Sequence, residues 1–572
     1  MNFFLPSILI TAFLSWFFPV STDSGLVETR RSYRKGAVSC APVRSKLLSA
    51  PTIGLMPGTG KHHWEIGAKN DSARIYFDQG MNLYYSFHII EALASVLKAE
   101  TFEPDNAMLY WAEALCYGPN INDIGYAAAP DVFPAVERAV KYKGKTTAVG
   151  QALIDAMAVR YSNAPGADQS ALNLKYRDAM KQVYEKFPKV PEVLALYADA
   201  LMQIHPWDLY EHDGAPKAWT PEIVSLLEKG LTMFTDHPGV NHYYIHAVEA
   251  SREPGRALAS AGRLGGITPG VAHMVHMPSH IYIRTGNYAE GMKVNVSALK
   301  GYDQYLALYP SVVNNAYLYQ FHNTHLLASC AIMNGNQKEA ARYAAKCRDD
   351  IPADYYASAS PFREFVHYLA ATPVFSAIRY GQWDELLAIP DAPDTMVYQK
   401  ILVTFGKGMA HARKGQVAAA EKDLASIQQW MEADAGIKIK MGAFNSGYDG
   451  ALVASSMLSG AIAEAQGDLS TAALSFKKAV DAEESMVYNE PKDWILPPLP
   501  YLGAVQWKAG DAKAAEVSFR KDLAFNPHNC WSLKGLSQAL DAQGKKKESA
   551  SVKKELEKAM VGSDVVLTGP VF

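Results

Sequence analysis

The sequence predicts an all-α protein in which antiparallel helix pairs stack side by side as an α-solenoid. Turn glycines recur along the chain, and most are followed by a bulky residue and then an alanine at the start of an apolar helix. Strand patterns are nearly absent, so a sheet protein is not expected. The turn glycines are Gly286, Gly335, Gly381, Gly415, Gly467, Gly510 and Gly544.

The spacing of the last three glycines indicates the kind of repeat. Gly467 and Gly510 lie 43 residues apart, and Gly510 and Gly544 lie 34 apart. A helix–turn–helix unit of about 34 residues is typical of tetratricopeptide repeats (TPRs). There a glycine ends the first helix and an alanine lets the second helix pack closely. The sequence therefore predicts a TPR-like solenoid with several lengthened repeats.

Composition narrows the class further. The chain has 572 residues, of which 49% are hydrophobic and 20% charged, as in ordinary globular proteins. Its net charge is −3 and no basic stripe stands out, so we expect no nucleic-acid partner. Five scattered cysteines predict no disulfide framework. We expect N-terminal helical repeats over 61–240, histidine-bearing repeats over 241–345 and C-terminal repeats over 346–572.

The N-terminus predicts targeting out of the cytoplasm. Residues 1–21 hold an apolar run from Leu5 to Val20, which suits a signal peptide and is short for a membrane-spanning helix. Basic residues follow this run rather than precede it, so an uncleaved N-terminal membrane anchor is the alternative. Residues 22–60, rich in Ser, Arg, Pro and Gly, are predicted to be a linker. We expect a secreted or periplasmic protein, or one held at a membrane by its N-terminus.

Histidines concentrate in the middle of the chain. Seven of the 16 histidines fall within 84 residues. Imidazole is the commonest transition-metal ligand and the usual proton carrier near neutral pH. The seven are His242, His246, His273, His276, His280, His322 and His325.

These seven histidines share one repeat register. If the turn glycine is position 15, they occupy positions 2, 5 and 9 of successive repeats. Those positions span roughly 60° of one helix face, at about 100° per residue. In such a solenoid this face of the first helix lines the concave groove, and neighbouring helices pack about 8–10 Å apart. The sequence therefore predicts that imidazoles from three repeats converge on one pocket in the groove.

Several other residues are candidates for the same pocket. Glu249 shares the helix face, and we predict it as a general base, as a partner that orients an imidazole, or as an ion-pair partner of Arg284 or Arg252. Pro278 should interrupt its helix between two of the histidines. The sequence leaves open whether three histidines of the N-terminal repeats join the pocket: His62, His63 and His88.

Longer motifs extend over residues from about 60 to 550. The most specific are the runs 276–284, 490–494 and 529–536, and others lie at 62–63, 77–80, 110–111, 118–122, 197–202, 206–208 and 241–249. Together they resemble a widespread family of histidine-rich TPR proteins found in bacteria. Where members of that family often have an Asn-His pair, this chain has Phe87-His88. The resemblance implies the solenoid fold and implies no particular reaction.

Two classes of function fit this pocket. Many imidazoles with few carboxylates suit copper or zinc. Two coppers would favour an oxidoreductase, and one zinc with Glu249 as base would favour a hydrolase. The alternative is a non-catalytic TPR scaffold that binds a peptide, a protein partner or a small molecule in its concave groove. Metal storage or delivery without turnover is a third hypothesis.

Overall fold

The computed structural model describes residues 53–122, 126, 128–308, 316–357, 362–440 and 444–572. The predicted signal peptide or anchor, 1–21, and most of the predicted linker lie outside the described residues. Within them the chain is helical and forms no strand, apart from a single bridge between Tyr210 and Pro216. The predicted all-α solenoid is confirmed. None of the helices described is both long and apolar enough to cross a membrane.

The first part of the chain consists of helices, and neighbours along the chain pack against each other. They are α1 (Asp71–Tyr84), α2 (Ile89–Phe102), α3 (Ala107–Cys116), α4 (Val132–Tyr142), α5 (Ala148–Ala158), α6 (Gln169–Lys186), α7 (Pro191–Gln203), α8 (Thr220–Met233), α9 (Pro238–Val248), α10 (Leu258–Ile267), α11 (Ala272–His276), α12 (Pro278–Arg284) and α13 (Tyr288–Leu308).

The second part continues the helix pairs, and several of its helices are longer. They are α14 (Ala316–Asn334), α15 (Gln337–Asp349), α16 (Phe362–Ala370), α17 (Thr372–Arg379), α18 (Trp383–Ala388), α19 (Val397–Arg413), α20 (Val417–Ala433), α21 (Gly447–Ala465), α22 (Leu469–Glu484), α23 (Leu499–Lys508), α24 (Ala512–Phe525), α25 (Cys530–Ala542) and α26 (Lys546–Ala559).

All seven predicted turn glycines lie between paired helices. Their φ angles fall between 65° and 85°, in the left-handed region that side chains other than glycine rarely adopt. The predicted interruption at Pro278 is also confirmed, because α11 ends at His276 and α12 begins at Pro278. Proline at a first helical position loses no helical hydrogen bond, so the chain can restart a helix there.

Residues 53–60, the end of the predicted linker, pack onto the helices instead. Ile53 and Met56 are buried, and the Met56 N–H donates to Gln79 Oε1 at 2.7 Å. The backbone carbonyl of Gly58 accepts from the Gly270 N–H at 2.8 Å. Here the linker prediction is wrong, because this segment carries apolar side chains that complete the core.

The end of the chain folds back onto the histidine-bearing helices. Tyr288 Oη donates to the carbonyl of Pro527 at 2.8 Å, and Trp531 Nε1 donates to the carbonyl of Ile332 at 3.3 Å. These contacts join helices about 200 residues apart in sequence. The middle of the molecule is therefore covered by its C-terminal helices. The described cysteines are free and buried, in agreement with the prediction of no disulfide framework.

Candidate metal centre

Six of the seven predicted histidines form two groups of three. In each group, one nitrogen from every ring lies within 4.8 Å of the other two. The first triad is His242, His246 and His273. The second triad is His276, His280 and His322.

The triads follow from helix geometry and from the interruption at Pro278. His242 and His246 lie one turn apart in α9, so both rings leave the same face. His276 ends α11 and His280 lies in α12, yet their Nε2 atoms are 2.8 Å apart. The break therefore does not separate the two rings.

Fixed acceptors orient two of these imidazoles. His242 Nδ1 lies 2.6 Å from the carbonyl oxygen of Tyr85, at the end of α1, so Nδ1 carries the proton and donates it. His276 Nδ1 donates to Asn295 Oδ1 at 2.5 Å. The Asn295 amide nitrogen donates to the carbonyl of Gly291, which turns Oδ1 toward the imidazole. Both neutral rings thus present an Nε2 lone pair to their triad.

Two carboxylates lie on the opposite, Nδ1 side of His246 and His280. Glu249 Oε1 is 2.9 Å from His246 Nδ1, and its Oε2 is 2.9 Å from His280 Nδ1. Glu490 Oε1 lies 3.0 and 3.2 Å from the same two nitrogens. Tyr488 Oη donates to Glu249 Oε2 at 3.2 Å. Since His246 and His280 belong to different triads, these carboxylates connect the two groups.

Nε2 atoms approach each other in both triads, and His273 brings one ring nitrogen within 4.8 Å of the other two members of the first triad. His246 Nε2 is 3.1 Å from His242 Nε2, and His280 Nε2 is 3.2 Å from His322 Nε2. Imidazole nitrogens bind zinc at about 2.0–2.1 Å, so two ligands at a tetrahedral angle lie about 3.3 Å apart. These two pairs of nitrogens therefore have separations close to that of two ligands on one ion.

The six imidazoles fall into two groups, those whose pKa is raised by nearby carboxylates and those whose pKa is lowered by burial. Although burial opposes it, Glu490 and Glu249 raise the pKa of His280 to about 10 and also raise the pKa of His246. When protonated, His280 donates one N–H to a carboxylate and the other to His276. Burial lowers the pKa of the remaining members, to about 4 for His322 and well below the ordinary value for His242, His273 and His276.

The pocket is enclosed by aromatic side chains. The ring of Phe87 stacks on that of His246 at 5.8 Å between centroids, and Trp207 meets it edge-on at 5.4 Å. Of the six imidazoles, that of His322 is the most accessible, with 17% of its side chain exposed. Residues from the N-terminal helices and from the segment around Glu490 cover this face.

The other predicted histidines lie outside the triads. His325 packs against the ring of Tyr368, and burial lowers its pKa to about 3. His88 precedes α2, with its ring 6.5 Å from that of His273. His63 is partly exposed and binds Asp78 at 2.7 Å. Of these, His88 is near the triads and His63 is not.

Glu249 and Arg284 are placed differently from the predicted ion pair. The Arg284 guanidinium donates to the backbone carbonyls of Glu249 and Ser251 rather than to the carboxylate. Arg252, the other predicted partner, pairs with Asp213 instead. Both Glu249 carboxylate oxygens are engaged by imidazoles. This geometry favours the orienting role over the role of general base, because a base needs a free oxygen facing a metal-bound water.

His62 belongs to a separate group with Glu192 and His237. His62 Nε2 is 3.1 Å from Glu192 Oε1. His237 Nδ1 accepts the N–H of Val240 at 3.2 Å, so the proton of the neutral ring sits on Nε2. That nitrogen offers a proton rather than a lone pair, and this group fits a metal ion less well than the triads do.

Sequence reasoning missed three residues that hold the imidazoles and lie outside the register positions. Tyr85 acts through its backbone carbonyl, which no side-chain pattern reveals. Asn295 lies on α13, the second helix of its repeat, whereas the histidine register consists of first-helix positions. Glu490 left a signal, because it begins one of the specific motifs, 490–494.

Solved structures resemble this chain only at low sequence identity and low TM-score. No protein-family model matches the chain, and no curated protein matches it. Among solved structures, the human IFIT1 dimer with m7Gppp-AAAA is 13% identical, with a TM-score of 0.28, and the match covers 86% of this chain and 91% of that one. Yeast Tom70 is 10% identical, with a TM-score of 0.28 and coverage of 86% and 93%. The helix pairs and the turn glycines between them, rather than these weak likenesses, make the chain a TPR-like helical protein.

Proposed function

We propose that this protein binds two transition-metal ions, one on each histidine triad. The observation that carries the proposal is that one nitrogen from each imidazole converges within each triad, while the Nδ1 atoms of His242 and His276 are anchored by hydrogen bonds. Neutral imidazoles without thiolates suit copper or zinc. An ion must displace the protons that His246 and His280 hold, because metals bind the unprotonated nitrogen.

We further propose that the centre, when it holds two copper ions, serves an oxidoreductase rather than a hydrolase. A hydrolase of the predicted kind needs a general base beside a metal-bound water, and the Glu249 oxygens are already occupied by imidazoles. When bound, a pair of redox-active ions would supply one-electron steps. The chain contributes the orientation of the imidazoles and an enclosed pocket that limits the access of water.

Metal analysis of the purified full chain tests the proposal. We expect about two equivalents of copper or zinc per chain. His273→Ala should remove one equivalent, His322→Ala should remove the other, and His325→Ala should retain both. The third variant is the matched control, because His325 lies one turn from His322 but outside the triads. A wild-type chain that folds and takes up no copper or zinc when these are supplied would refute the proposal.

The second candidate is a non-catalytic scaffold for a peptide or protein partner. The observation that favours it is the helical-repeat fold itself, since solenoids present extended surfaces for binding. Capture of a partner by metal-free wild type and by the His273→Ala, His322→Ala double variant alike would support this candidate. Capture that requires the metal would count against it.

We also propose export through the N-terminal apolar segment. Sequencing the N-terminus of the mature protein tests this, because a start near residue 22 would show signal cleavage. An intact N-terminus in a membrane fraction would instead support the anchor.

A further inference from the structure

A partly open cleft lies beside the segment that carries Glu490. Its walls come from α16, α19, the start of α21 and residues 486–493. Aromatic rings and two carboxylates dominate the lining. These side chains are Phe365, Tyr368, Tyr398, Phe444, Glu364 and Asp493.

The two carboxylates differ in their partners. Glu364 forms an ion pair with Arg363 at 2.7 Å. Asp493 accepts from the amides of Asn445 at 2.7 Å and Asn489 at 3.1 Å. Within the described part of the chain, no lysine, arginine or histidine forms an ion pair with Asp493. One carboxylate charge in the cleft is therefore held by neutral amides alone, and desolvation raises the pKa of Asp493 to about 6.

The aromatic rings add a second preference for positive charge. The face of a phenol or benzene ring is negative, and an ammonium or guanidinium group within about 6 Å of it is attracted. Tyr368 and Tyr398 are buried, whereas Phe365 and Phe444 are partly exposed at the cleft. A cleft lined by rings with one carboxylate lacking a cation suits a ligand with an apolar body and a single cationic head.

We propose that this cleft binds an organic cation, a primary ammonium attached to a compact aromatic or aliphatic body. The ammonium group donates to Asp493, and the body packs on the aromatic rings. A charge-assisted hydrogen bond contributes more than a neutral one. The carboxylate should therefore discriminate an amine from a neutral molecule of the same shape.

The cleft also lies next to the histidine triads. Asn489 and Asp493, which are hydrogen-bonded to each other, stand on either side of Glu490 in the chain. The ring of Phe444 is 6.1 Å from that of Trp207, and Trp207 contacts His246. A bound amine would thus sit close to the proposed metal centre. The binding itself does not depend on a metal, so it can be tested separately.

Calorimetry on the full chain with two probes tests the proposal. The probes are phenethylammonium and 2-phenylethanol, which share the apolar body and differ in charge. We expect the ammonium to bind wild type at least tenfold more tightly than the alcohol. Equal binding of the two probes, or no binding of the ammonium, would overturn the proposal.

Variants then locate the site. Asp493→Asn should lower the affinity for the ammonium at least tenfold and leave the affinity for the alcohol unchanged. Phe444→Ala should lower the affinity for both probes. Asp423→Asn is the matched control, because this partly buried carboxylate pairs with His411 outside the cleft. Ammonium binding that Asp493→Asn and Phe444→Ala both leave intact would refute this location. If Asp493→Asn fails to fold, the probe comparison on wild type together with Phe444→Ala decides. Chelator-treated wild type should bind the ammonium as tightly as untreated protein, which separates this outcome from that of the metal proposal.

Discussion

Glu249 joins the two triads, and its removal should weaken both proposed metal sites. Each of its oxygens lies 2.9 Å from the Nδ1 atom of one imidazole, His246 in the first triad and His280 in the second. Loss of such an orienting partner typically costs about 10–100-fold in metal affinity, or about 1.4–2.7 kcal/mol. Glu490 also approaches both nitrogens, so we expect the lower end, about tenfold at each site, for Glu249→Ala.

Glu249→Gln sharpens the same prediction. A glutamine has one acceptor oxygen, so it can accept from one imidazole while its NH₂ group faces the other. The affinity for one ion should therefore fall about tenfold, and the affinity for the other ion should stay nearly unchanged. Titration of the metal-free chain with zinc or copper against a chromogenic chelator resolves the two affinities. Glu253→Gln, an exposed carboxylate four residues on, should leave both unchanged. The reasoning is refuted if Glu249→Ala weakens neither ion.

Two further predictions concern stability. Gly450→Ala should lower the free energy of unfolding by about 1–3 kcal/mol, because the new Cβ would meet Tyr398 Oη. Gly262→Ala is the control: its Cβ meets nothing within 4 Å, so it should stabilise the protein by up to about 1 kcal/mol. Denaturant unfolding of both variants measures these changes. Since the folded-state pKa of Asp493 is raised to about 6, its contribution to stability is present below about pH 4 and is lost as pH rises through 6. Wild type should thus lose about 1–3 kcal/mol relative to Asp493→Asn between pH 4 and 7, and parallel pH curves for the two proteins would contradict this.

The repeat register predicted which imidazoles come together, but it could not assign them to the two triads. Positions 2, 5 and 9 placed six rings on one surface, and the structure confirms that these six come together. The same register included His325, which the structure turns toward Tyr368. Two side chains three residues apart on a helix differ in direction by about 60° around the helix axis. This difference is enough to place one ring in a small cluster and the other outside it. Periodicity thus finds the face of a helix and does not decide which rings share an ion.

The partners of the imidazoles lay beyond any local pattern. Glu490 is 241 residues from Glu249, and only the return of the C-terminal helices brings the two carboxylates to the same nitrogens. A repeat pattern describes contacts between neighbouring repeats and does not describe contacts across the superhelix. The sequence therefore predicted which imidazoles come together. The groups that contact their Nδ1 atoms could be found only from the three-dimensional structure.

The backbone around His246 supports a functional reading of this pocket. Among the described residues, Phe87, Trp207 and His528 are the non-glycine residues with positive φ, at 57° to 60°. Two of them, Phe87 and Trp207, place their rings against the His246 imidazole. A left-handed conformation in such residues costs about 1–3 kcal/mol and persists where surrounding contacts over-determine it. Because both strained residues pack on one imidazole from two sides, the ring is held in a fixed plane, as a ligand that must meet an ion at a defined angle requires.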